Sequence, residues 1–201
     1  TFENSGDKTQ KKLLDVLRWQ ITRDSSDWPE WIDREHESGP VAARLEGLGV
    51  TFVNHSTFLI QFNGINILTD PIWSERASPV SFAGPKRVRA PGVALEDLPP
   101  VDLIVVSHNH YDHMDVETLA ALKKSPRHDL KIIAGLGNGA LFESQELGEY
   151  EELNWYQSVA LKVGGKLIKI TMVPAHHWSG RGLSDRNKSL WGGFILESGG
   201  R

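Results

Sequence analysis

The chain has 201 residues, 39% apolar and 24% charged, with a net charge of −4; that suits one soluble globular domain, or one and part of a second. The acidic balance argues against a duplex nucleic-acid binder, so no nucleic-acid partner is expected. Cysteine is absent, which excludes disulfides, zinc fingers and thiol nucleophiles and leaves histidine and carboxylate to hold any metal.

Residues 8–23, KTQKKLLDVLRWQITR, repeat Leu13, Leu14, Leu17 and Ile21 at helical spacing among Lys, Arg and Asp. That pattern predicts an amphipathic helix. The stretch SSDWPEWID interrupts it, with Pro29 placed for a turn or a new helix start. Residues 1–45 therefore read as a helical arm on a main domain spanning 46–201. The apolar face of the arm has two uses, packing on that body, which is the simpler, or approaching lipid headgroups. No apolar run reaches the roughly 18–20 residues that cross a bilayer, and no signal peptide stands at the Thr1 start. The expected place is the cytoplasm or the periphery of a membrane. Seven tryptophans are many for this length, and some are expected to line a site or contact surface.

From Leu48 the texture changes. GVTFVNHSTFLIQFNGINILTDP alternates and is rich in Val, Phe, Ile and Thr, which predicts two or three strands with Asn63-Gly64 as a hairpin turn. Residues 74–100 carry Pro79, Pro85, Pro91, Pro99 and Pro100 and read as a long irregular loop. VDLIVVS is a continuous apolar run, the mark of a strand buried on both faces. DVETLAALKK predicts a helix with Asp115 as N-cap. LKIIAGL is a strand, 139–147 a helix, and YEELNWYQSVAL, GGKLIKITMVPAHHWSG and SLWGGFILES supply further strands, with Gly164-Gly165 as a turn. Strands with interspersed helices fit a layered α/β domain with a mixed sheet.

The chain has 8 histidines, and three fall in SHNHYDHMD, residues 107–115, directly after the buried strand. Two histidines at i and i+2, His108 and His110, can meet one metal ion, while Asp112 and His113 face the other side of the turn and can meet a second. The alternative is a polar loop whose histidines cap the next helix; three His and one Asp in six residues favour the metal. PAHHWSG, 174–180, also follows a strand, and one of His176 and His177 can be a third ligand; spacing does not separate them. His36 and His128 read as solvated. His55 reads as a hydrogen-bonded strand histidine in preference to a residue at the floor of the site. Asp70, ending a strand before Pro71, is either an Asx turn or a second-sphere carboxylate holding a ligand histidine by its free N–H.

SHNHYDHMD resembles the HxHxDH signature of the metallo-β-lactamase superfamily. FLIQFNGINILTDPIWSERASPVSFAGPKRV, LPPVDLIVVSHNHYDHMD, PAHHWSGRGLSDRNKSLWGGFIL and LRWQITRDSSDWPEW together resemble the N-acylphosphatidylethanolamine-hydrolysing phospholipase D family, from about Leu17 to the end of the chain. The resemblance implies an α/β fold, a metallo-β-lactamase-like αββα sandwich with a binuclear metal site at one edge. It implies His108, His110 and His177 on the first ion, Asp112 and His113 on the second, and Asp70 in the second sphere. His177 is chosen because the family's ligand directly precedes a Trp, here Trp178. The family pattern continues with a Gly-Asp-Thr-Gly-like turn whose Asp bridges the ions, and with a later His. Neither lies within 1–201, so the expectation is a sandwich lacking its C-terminal part. Asp185 sits wrongly for that Asp and is not promoted.

The implied activity is that of a metal-dependent phosphodiesterase of phospholipase D type, acting on N-acylphosphatidylethanolamine-like phospholipids. Its cofactors are two divalent ions, zinc by donor chemistry with manganese, iron and nickel open. Asp112 would orient the nucleophile. Lys86, Arg87 and Arg89 in GPKRVR stand near the site or a membrane surface, or form a solvated loop, the reading slightly favoured. Rivals are a lactonase on the same metals, a nuclease, which the acidic balance and the lack of an aromatic-basic stripe disfavour, and a metal-binding fragment without turnover.

Overall fold

Alternation of apolar and polar residues builds the first three strands. β1 (Leu48–Asn54), β2 (Thr57–Phe62) and β3 (Ile65–Thr69) form an antiparallel meander. Asn63 and Gly64 turn the second hairpin with φ of 50° and 76°, the left-handed pair that this dipeptide favours. The computed structural model describes residues 1–4, 6, 13–24, 27–33, 41–127 and 130–200. His36, His128 and Arg201 lie outside these, as do residues 8–12 of the expected arm helix.

Three further strands add in parallel to β3. These are β4 (Leu103–Val106), β5 (Lys131–Gly135) and β6 (Glu149–Leu153), giving a six-stranded mixed sheet in chain order. β4 is buried at every position, as its unbroken apolar run requires. Helices α2 (Val116–Lys124) and α3 (Gly139–Ser144) make the parallel returns. A second, antiparallel sheet holds β7 (Ser158–Val163), β8 (Lys166–Val173) and β9 (Gly193–Ser198).

Two apolar layers result. On one face of the large sheet, Leu68, Ile104, Val106 and Ile132 pack with Leu119, Leu122 and Phe142 of the helices. On the other face, Ile67, Leu103, Val105 and Ile133 meet Ile168, Ile170 and Met172 of β8. Each such side chain contributes about 1.5–3 kcal/mol by leaving water. The order is helix, sheet, sheet; among the described residues no helix covers the outer face of the small sheet, where Leu167 and Ile195 are exposed.

Four details differ from the sequence reading. The arm helix α1 runs Leu13–Thr22, and Leu14, Leu17 and Ile21 of its apolar stripe are exposed rather than packed on the body. The helix predicted over 139–147 stops at Ser144, because Glu146 turns left-handed at φ 50°. Asp115 stands at the N-cap position but does not cap with its side chain. Its carboxylate instead accepts from the amides of Trp73 and Ser74 and from the hydroxyls of Ser74 and Thr118, tying the long loop to the sheet edge. In the GPKRVR stretch of that loop, Arg87 donates to the carbonyls of Ser74 and Ile72, Arg89 lies over the Phe52 ring and Lys86 pairs with Glu75, so these cations are structurally engaged rather than simply solvated.

Candidate metal centre

Four segments end at one rim of the layers: the β1–β2 turn, the residues after β3, those after β4, and those after β8. The amide of Gly192, ahead of β9, donates to the Ser107 carbonyl at 3.0 Å and joins the two sheets there.

His108 is buried and forms the centre of the first group. Its Nε2 lies 2.9 Å from His110 Nδ1 and 3.0 Å from His177 Nε2. His176 is exposed and outside the group. Asn4 brackets the His177 backbone, donating to its carbonyl at 2.7 Å and accepting from its amide at 3.1 Å, while Trp191 Nε1 donates to the same Asn4 oxygen. Trp178 stands edge-on to His110 with ring centroids 4.1 Å apart, and Arg186 lies over the Trp178 ring.

The second group sits beside the first, with the His108 and His113 rings 4.1 Å apart. His113 Nε2 is 3.7 Å from Asp112 Oδ2, and His55 Nε2 approaches the same oxygen to 2.9 Å. His55 is thus no mid-strand histidine: it occupies the β1–β2 turn, and its Nε2 stands close to the Asp112 and His113 ligand atoms.

Asp70 and Ser107 form the hub between the groups. Asp70 is buried at φ 38°, a left-handed backbone that is strained before proline. Its Oδ1 accepts from the Ser107 amide at 2.7 Å, and its Oδ2 from the Ser107 hydroxyl at 2.8 Å and from His113 Nδ1 at 2.9 Å. Because Ser107 Oγ spends its proton on Asp70, it accepts from His108 Nδ1, 2.9 Å away. Both rings are thereby fixed as Nδ1–H tautomers, and the lone pairs of His108 Nε2 and His113 Nε2 face the two groups. Asp70 does not form an Asx turn; its carboxylate reaches across to β4.

The electrostatics follow. Burial, with repulsion from His113 and His177 next, pushes the His108 pKa down to about 2, and burial with His177 pushes His110 to about 4. Burial also lowers His177. For His113 burial works downward too, but the hydrogen bond and charge of Asp70, with Asp112, outweigh it and leave the pKa raised. The first group therefore presents neutral imidazoles. Three ring nitrogens meeting with at least one bare lone pair is a donor set that a cation satisfies and protons alone do not, so these residues fit a divalent ion.

Around this centre Arg181 donates to the carbonyls of Asn109 and Met114 and stacks on Tyr111, holding the 109–114 turn from outside. Asp185 accepts from the amides of Arg181 and Gly182, which is a turn role. A cavity of about 350 Å³ opens beside the second group, lined by Asn54, His55, Lys86, Arg87 and Asp112. Sequence reasoning missed Ser107, Asn4 and Arg181. Only Ser107, adjoining the histidine run, carried a local signal.

Residues 65–201 match the family model of the beta-lactamase superfamily domain. Over 156 residues, 75% of this chain, the sequence is 42% identical to N-acyl-phosphatidylethanolamine-hydrolyzing phospholipase D 1 of Caenorhabditis elegans, covering 43% of that protein. Over 148 residues, 73% of the chain, it is 36% identical to the mitochondrial N-acyl-phosphatidylethanolamine-hydrolyzing phospholipase D of Saccharomyces cerevisiae, covering 31% of it. The chain thus spans less than half the length of these curated relatives. Among solved structures, a metallo hydrolase from the archaeon Ignicoccus hospitalis superposes with a TM-score of 0.53 at 23% identity, over 77% of this chain and 57% of that one, a likeness of fold.

Proposed function

The chain belongs to the beta-lactamase superfamily, and from that premise we propose that it carries the metal-holding part of a metal-dependent hydrolase whose substrate is a phosphodiester of the N-acylphosphatidylethanolamine class. The observation that carries the reading is the pair of adjoining donor groups, His108, His110 and His177 beside Asp112 and His113. When bound, a pair of divalent ions, with zinc the best match to a cysteine-free His and carboxylate set, supplies Lewis acidity that lowers the pKa of water and neutralises phosphate oxygens.

The chain's own residues do the rest. Neutral His108, His110 and His177 would hold the first ion, and Asp112 with His113 the second. Asp70 keeps the Nδ1 proton on His113 and, through Ser107, on His108. The Asp112 side chain is 41% exposed, so a carboxylate oxygen remains to orient and accept a proton from attacking water. Lys86, paired with Glu75 at 2.8 Å on the cavity wall, is the cation able to swing to a substrate phosphate; the half-buried Arg87 holds that wall in place. Water adds at phosphorus and the bond to the N-acylethanolamine oxygen breaks, giving a phosphatidic acid and an N-acylethanolamine. The lipid substrate names of the two relatives at 42% and 36% identity support this class. Among the described residues no helix is long and apolar enough to cross a membrane; contact with the lipid surface is peripheral in this reading.

The test is full-length, zinc-loaded protein on vesicles containing an N-acylphosphatidylethanolamine, with phosphatidic acid read by mass spectrometry. Product that disappears with chelator and returns with metal supports the reading. Untouched lipid alongside hydrolysed lactones would move the protein to carbonyl substrates.

A further inference from the structure

The turn between β1 and β2 has two residues, His55 and Ser56, closing from Asn54 to Thr57. His55 adopts φ 43°. A two-residue hairpin turn asks for left-handed backbone, which glycine supplies without strain and asparagine at little cost. A histidine there departs from the local rule, and such departures mark positions kept for another reason. Core packing is not that reason, because the side chain is 52% exposed. Its polar end is engaged instead: Nε2 lies 2.9 Å from Asp112 Oδ2, and the ring stands edge-on to His113 with centroids 5.1 Å apart.

We propose that His55 is a positioning residue for the second donor group, its Nε2–H donating to Asp112 Oδ2 and aiming that carboxylate at the same point as His113 Nε2. An ionised carboxylate only accepts hydrogen bonds, which fixes the proton on His55 Nε2. The arrangement mirrors that of Asp70 on His113: each of the two second-group side chains is held by one partner from the opposite chemical class. Without His55, the half-exposed Asp112 side chain loses this hold on its rotamer. The inference rests on the binuclear reading above.

Zinc titration of the full-length protein, in competition with a chromophoric chelator, tests it on wild type, His55→Gly and His55→Gln. Glycine relieves the turn, so the metal-free His55→Gly protein should melt no lower than wild type. It should nonetheless hold the second ion about 10- to 100-fold more weakly, with the first ion unchanged. Glutamine places an N–H near the lost Nε2 and should recover much of the affinity. If wild type takes up two ions and His55→Gly binds both as tightly, the assignment of His55 alone falls. It falls equally if His55→Gln binds as poorly as His55→Gly. A wild type that takes up fewer than two ions overturns this inference and the binuclear reading together.

Discussion

Replacing Asp70 with asparagine keeps the shape of the hub and removes its charge. Asp70 Oδ2 accepts from Ser107 Oγ and His113 Nδ1, and Oδ1 from the Ser107 amide. With its oxygen in the Oδ1 place the asparagine keeps the Ser107 amide, a backbone donor that cannot turn away, and its NH2 group then meets the two former Oδ2 donors, Ser107 Oγ and His113 Nδ1. Two hydrogen bonds to a buried carboxylate are lost, each worth about 1.5–3 kcal/mol. Ser107 can rotate and His113 can move its proton to Nε2, so relaxation limits the loss of folding stability to about 2–4 kcal/mol. The second adjustment costs the site more than the fold, because a protonated Nε2 no longer offers a lone pair. Zinc affinity at the second group should fall about 10- to 100-fold, or about 1.4–2.7 kcal/mol. The first group should weaken less, through Ser107 and His108. Urea unfolding of the metal-free protein and zinc titration read the two effects separately. An Asp70→Asn variant that binds both ions within about twofold of wild type would refute the hub, whatever its stability.

Two further outcomes follow from the same geometry. His177→Ala should weaken the first ion by roughly 100-fold or more, since one of a few ligands sharing a binding energy of order 10 kcal/mol is removed; His176→Ala, at an exposed neighbour, should leave it unchanged, and equal losses would contradict the placement of His177. The metal-free protein should lose stability in mild acid. His108 and His110 have pKa values lowered from 6.5 to about 2 and about 4, so the unfolded chain binds protons first and stability falls as pH drops below 6.5. His113, with its raised pKa, contributes the opposite way, stabilising below 6.5 and losing this as pH rises through its folded value. The two depressed groups dominate, and near pH 5 His108 alone costs roughly 2 kcal/mol. A melting temperature that holds or rises between pH 7 and pH 5 would show that these rings are not kept neutral.

The HxHxDH run was legible because its side chains are neighbours in sequence as well as in space, and a tight turn after a buried strand leaves them little freedom. The strands were legible where one face is buried, as in β8, whose Ile168, Ile170 and Met172 alternate with outward residues. His176 and His177 could not be ranked by spacing, since the selection is made by Asn4, over 170 positions away, gripping the His177 backbone. His55 was misjudged for the same kind of reason. It reaches Asp112 across 57 positions, only because β2, β3 and β4 lie side by side. The exposure of the α1 stripe depends on where the arm lies, which helical periodicity does not encode.

The three imidazoles of the first group come from different layers: His108 and His110 follow β4 of the large sheet, and His177 follows β8 of the small one. An ion shared among them would clasp the two layers of this cysteine-free chain across the 69 positions between His108 and His177. Unlike a disulfide, which restrains the unfolded chain, it would stabilise the fold by the free energy with which the folded layers bind it. Metal depletion would then loosen the seam between the sheets as well as stop turnover, and amides along β8 should exchange with solvent ahead of those in β4.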